Sequence, residues 1–220
     1  MQKQVLLDKL SEFLMVEQGG LQLYRVASGR ARQADLKQRY QEFEQQTAHH
    51  REVLTRLIQQ VGGDPNYVSP AARVAQVKAT KLMDSALIAS DALAEALEAS
   101  DLENVLLAET KDHTDWELLK HFGQQADDPR VKQAVQEAVR EVEQQEDEHV
   151  QWARETLRQM GLRRLQQGPA PSSERWQRVI SGPEPPVGTI NPSPETADLL
   201  PAAKTPMWQD SSVARAMRSG

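Results

Sequence analysis

The chain of 220 residues carries a net charge of −6, no cysteine and only 5% aromatic residues, while Ala, Leu, Glu and Gln abound. Without cysteine, disulfides, thiolate zinc sites, iron–sulfur clusters and a thiol nucleophile are excluded, so any metal has to be held by carboxylates and imidazoles. The acidic balance offers no basic stripe to neutralise phosphates, which argues against a nucleic-acid partner. Lys3, Asp8, Lys9, Glu12 and Glu17 interrupt the start of the chain as a signal peptide would not allow, and no later run has the length of a membrane span. A cytoplasmic protein with no membrane partner is expected.

The periodicity predicts a first helix over about 3–28, with Leu10, Phe13, Leu14, Leu21 and Tyr24 three and four apart. A second, over about 34–61, carries Leu36, Tyr40, Phe43, Leu54 and Leu57 and stops at Gly62-Gly63-Asp64-Pro65. Residues 70–98 are also helical in pattern, with Val74, Val77, Leu82, Ala86, Leu93 and Leu97, and serve as a crossover. The next helix is predicted from the capping box Ser100/Glu103 to about 125. The last starts at Asp128-Pro129, a cap followed by proline at the first helical position, and ends near Gly161. Nine of the twelve prolines lie at or beyond Pro169, so the chain divides into a helical bundle over 1–166 and a Pro-rich, weakly ordered tail over 167–220. The tail ends in a short amphipathic run around Trp208, suited to a docking segment for a protein partner. The fold class expected is all-α: two antiparallel hairpins wired by a helical crossover into a four-helix bundle.

Each apolar stripe is interrupted by groups that ionise. Glu17 sits in the stripe of the first helix and His50 in that of the second. The helix after residue 100 gives Leu102, Leu106, Glu109, His113 and Trp116, and the last gives Val142, Glu146, His149 and Ala153. Counted from the turns near 31 and 127, Glu17 lies 14 residues away, His50 19, Glu109 18 and Glu146 19. At ~1.5 Å per residue they fall within roughly two helical turns of one level. Buried carboxylates lose hydration and repel one another, and no Lys or Arg occupies these stripe positions; one or two divalent cations would compensate. Glu146 and His149, at i and i+3, reach one ion from a single helix face. His49 and His121 fall off the stripes, and Trp116 and Trp152 read as core packing.

A Glu on the first helix, a His on the second, a Glu on the next and Glu-x-x-His on the last together resemble the ferritin-like superfamily, and more narrowly the rubrerythrin-like and stress-related proteins of bacteria. FEQQTAHHREVLTRLIQQVGGDP and EQQEDEHVQWARETLRQMG look like their second and fourth helices. The resemblance covers about residues 3–162. It implies metal ligation by Glu17, His50, Glu109, Glu146 and His149, and two iron or manganese ions that react with dioxygen or peroxide. It further implies peroxide removal or ferrous-iron oxidation, and self-association of the bundle. One departure is plain: the family's second helix also carries a Glu three before its His, where this chain has Thr47, beside Gln46. His113 is the substitute expected for that ligand, and the metal count stays open between two, one and none. The rival expectation is a non-catalytic bundle with a binding or structural role, docked through its tail.

Overall fold

The computed structural model describes residues 3–88 and 94–167, all helix or short connection, with no strand among them. The helices are α1 (Lys3–Arg30), α2 (Ala34–Gln60), α3 (Pro70–Ile88), α4 (Ala94–Gln124) and α5 (Pro129–Gln167). None of these is long and apolar enough to cross a membrane. The predicted stop of α2 is realised by Gly62 at φ 72°, whose N–H donates to Gln59 O at 2.9 Å while that of Gly63 donates to Ile58 O at 2.8 Å. A left-handed residue there costs glycine nothing, and it satisfies the carbonyls left open at a helix end. The predicted start of α5 also holds, with Asp128 Oδ1 accepting from the Arg130 N–H at 2.8 Å ahead of Pro129.

Two boundaries differ from expectation. Ser100 does not begin a helix: residues 94–99, assigned to the crossover, belong to α4, because AEALEA is strongly helix-forming and Ser is tolerated within a turn. Glu98 is used elsewhere, accepting from the N–H groups of Arg32 at 2.6 Å and Gln33 at 3.3 Å, just ahead of α2. Burial opposes its ionisation, but the bonds from Gln33 and Arg32 outweigh that and hold its pKa below the ordinary value. Nor does Gly161 end α5, which continues to Gln167. Of the predicted tail, 167–220, Gln167 belongs to α5 and the residues from 168 onward lie outside the described ones.

The helices pair α1 with α2, α2 with α5, α5 with α4 and α4 with α1, so these four contact one another in ring order. Cross-helix partners run antiparallel, as in Arg25–Glu44 between α1 and α2 and Lys120–Glu143 between α4 and α5. α3 lies outside the ring against α1 and α4. It buries Ala72, Ala75 and Ala86, the last as the sequence stripe predicts, but leaves Val74 and Val77 of that stripe more than half exposed. The reason is close approach: a Cβ on Gly19 of α1 would stand 2.7 Å from the Ala79 Cβ, so small residues on both helices set the distance.

Inside the ring the apolar core is not continuous. One cluster gathers Leu10, Phe13, Leu54, Leu57, Leu119, Val135 and Val142. A second gathers Tyr24, Tyr40, Phe43, Leu102, Val105 and Ala153. Each fully buried side chain of this kind contributes about 1.5–3 kcal/mol. Between the two clusters, every one of the four helices buries polar side chains.

Candidate metal centre

The polar layer is built by helical spacing. Glu17 lies between Leu14 and Leu21 on α1, His50 between Phe43 and Val53 on α2, and Glu146 and His149 between Val142 and Ala153 on α5; all are at most 1% exposed. α4 adds Glu109 and Asp112, 2% and 4% exposed. Four carboxylates and two imidazoles thus meet in the interior, one turn deep, with no lysine or arginine among them. Ligand atoms of His50, Glu146 and His149 lie within 4.8 Å of one another, and so do those of Glu17, Asp112 and Glu146. Glu146 is common to both groups. Each group could hold a cation, with Glu146 placed between them.

The histidines are oriented from outside the layer. His50 Nε2 faces Gln145 Oε1 at 2.8 Å and His149 Nε2 faces Gln46 Oε1 at 2.7 Å. An amide oxygen only accepts, so each Nε2 donates, which in a neutral ring leaves Nδ1 with its lone pair. Both Nδ1 atoms point at carboxylates: His50 to Glu146 Oε1 at 2.7 Å and Glu17 Oε1 at 3.8 Å, His149 to Glu109 Oε2 at 3.2 Å. Burial lowers the His50 pKa, keeping it neutral. Phe43 packs on the His149 ring with centroids 4.1 Å apart. The Trp116 Nε1–H donates to Glu17 Oε1 at 3.0 Å.

The remaining lone pairs have no such partner. Glu17 Oε2, His50 Nδ1, Asp112 Oδ1 and both oxygens of Glu146 are buried without a hydrogen bond. Burial first, then the neighbouring carboxylates, push the pKa of Glu17, Asp112 and Glu146 well above the ordinary range. Unsatisfied buried acceptors each cost about 1–3 kcal/mol, and a folded protein keeps few of them. Protons or cations have to compensate this layer, and the donor set of oxygens and imidazole nitrogens suits divalent iron, manganese or zinc.

The structure therefore brings together Glu17, His50, Glu109, Glu146 and His149 and leaves His113 out. His113 is half-buried on the outer side of α4, where its Nε2 meets Asp147 Oδ1 at 2.8 Å and its Nδ1 lies 3.8 Å from Glu117. A step of four from Glu109 turns the side chain past the interior; the step of three, to Asp112, turns it in. Asp112, not His113, supplies the additional group, and sequence reading missed it. The signal was present: Leu102, Val105, Glu109, Asp112, Trp116 and Leu119 alternate steps of three and four and are all buried. Thr47, at the place of the absent carboxylate on α2, is buried with its methyl 3.5 Å from where a Cβ on Gly20 would stand. His49, paired with Glu141 at 3.0 Å, and His121 lie outside the layer.

Compared with protein-family models, curated proteins and solved structures, the chain matches none of them, so its site is read from its own geometry.

Proposed function

We propose that this chain is a ferritin-like, metal-dependent redox protein. In this reading α1, α2, α4 and α5 form the four-helix bundle, α3 is the crossover, and the buried layer holds two iron or manganese ions in a cytoplasmic protein. The observation that carries it is the charge and lone-pair balance of the layer. Four carboxylates in one buried layer, with no lysine or arginine among them, call when ionised for four positive charges, which two divalent cations supply. His50, His149 and Glu146 would hold one ion, Glu17, Asp112 and Glu146 the other, with Glu109 beside His149. Bound there in reduced form, two such metals would each give up one electron, which with two protons reduces one peroxide to two waters; were they ferrous and dioxygen the acceptor, the same loss of electrons would be ferrous-iron oxidation.

The protein's own groups have separate tasks. Gln46 and Gln145 fix the imidazole tautomers, so that Nδ1 faces the layer. Trp116 anchors Glu17. Phe43, Tyr24 and the two apolar clusters exclude bulk water, which strengthens every electrostatic interaction inside. The ground for a non-catalytic bundle was the carboxylate absent at Thr47; Asp112 restores the number of carboxylates from another helix.

Metal content of protein purified without chelator tests the reading. About two ions per chain are expected from the charge balance, falling in Glu146→Ala and Glu109→Ala, with an optical change when peroxide is added. Absence of metal from the wild type, under loading with iron or manganese, overturns it.

A further inference from the structure

One surface cavity is lined by a member of the buried layer. Between α4 and α5 lies a cavity of about 170 Å³ whose floor includes Trp116 and Glu146 and whose rim includes His113, Glu117, Glu143 and Asp147. Side-chain exposure grades along it, from 63% at Glu117 and 54% at Asp147, through 27% at His113, to 1% at Glu146. The cavity thus ends against Glu146, whose two carboxylate oxygens are both buried and without a hydrogen bond. The larger cavity between α1, α3 and α4, walled by Val16, Leu23, Val77 and Leu107, includes no member of the layer.

The rim has the chemistry of a cation path. Glu117, Glu143 and Asp147 stand against one lysine, Lys120, which is engaged with Glu143. Mouths lined by one sign of charge concentrate counter-ions and raise their on-rates. Midway, His113 and Asp147 sit 2.8 Å apart, a nitrogen and an oxygen able to replace water on a cation as it sheds its hydration shell. Interior and path share helices, because α4 turns Asp112 inward and the adjacent His113 outward.

We infer that the α4–α5 cavity is the access path for divalent cations to the buried layer, with His113 and Asp147 as transient ligands on the way. This rests on the metal-binding reading above but does not follow from it.

Cobalt(II) is the probe. Protein stripped by chelator is mixed rapidly with Co²⁺, and the visible d–d absorption is followed in the wild type and in the double variant His113→Ala/Asp147→Asn. Glu117→Gln and His49→Ala are measured alongside; His49, on α2, lies off the path. The double variant is expected to load at least about tenfold more slowly, reaching the wild-type stoichiometry and spectrum, with a smaller slowing in Glu117→Gln and none in His49→Ala. Unchanged loading rates in the rim variants overturn the path while leaving the metal centre intact. Lower final stoichiometry in the double variant also overturns it, since the pair would then be resident ligands. A wild type that takes up no cobalt removes the centre, and the path with it.

Discussion

Asp112→Asn separates a metal centre from an ordinary buried polar cluster, because the two assign opposite signs to its effect. The substitution keeps the side-chain volume and removes one charge. A ligand oxygen of Asp112 lies within 4.8 Å of those of Glu17 and Glu146. At an effective dielectric constant of about 20, two like charges that far apart repel by about 3.5 kcal/mol. In metal-free protein, protons held by the raised carboxyls already relieve part of this. The variant is therefore expected to be more stable than wild type by about 1–3 kcal/mol without metal, and each kcal/mol raises Tm by about 2–4 °C in a domain of this size. With metal the order reverses: the amide neutralises no cation, and the count falls from about two ions per chain to about one. Calorimetry with and without manganese(II), beside elemental analysis, reads both. A metal-free variant that melts below wild type, with an unchanged metal count, would refute the reasoning and make Asp112 a hydrogen-bonded core residue.

The same carboxyls set a pH dependence. Unfolded, Glu17 and Glu146 titrate near 4.5 and Asp112 near 3.8, whereas folding holds their protons to higher pH. Their contribution is fully present below those values and is lost as pH rises through the folded ones. His50, lowered by burial from 6.5, works the other way, its contribution lost as pH falls, but three carboxyls outweigh one imidazole. Metal-free protein should thus lose Tm as pH rises above the ordinary carboxyl range, while metal-loaded protein gains, because cations displace those protons; calorimetric scans with a flat or opposite pair of slopes would count against the layer. Replacing Gln46 or Gln145 by Leu leaves an imidazole Nε2–H without its acceptor, and metal affinity should drop about 10–100-fold with helicity unchanged. Competition against a chelating dye measures this, and wild-type affinity in both variants would reduce the glutamines to bystanders.

Most of the polar layer was legible because three of its helices carry unambiguous stripes. Leu14, Glu17 and Leu21, or Val142, Glu146, His149 and Ala153, admit a single inward face. α4 does not, since Leu106 and His113 compete with Val105 and Asp112, and a step of three or four from Glu109 decides the ligand. Only packing against α1 and α5 resolves it, by turning Asp112 toward Glu17 and Glu146. α3 misled for a related reason. Its valines have the stronger transfer energy, but Gly19 opens a shallow seat that only an alanine face fits, so contact distance overrides hydrophobicity. The α4 start was misplaced because a capping box is a local signal, whereas Glu98 serves the start of another helix, a role invisible from neighbouring residues.

The division of donors between hairpins has a consequence for assembly. The α1–α2 hairpin brings only Glu17 and His50, and the α4–α5 hairpin only Glu109, Asp112, Glu146 and His149. Glu146 completes its two trios only by borrowing His50 for one and Glu17 for the other, both from the opposite hairpin. A tightly held cation would therefore act as a rivet across the seam, and its bound fraction would report how completely the two halves have closed on each other.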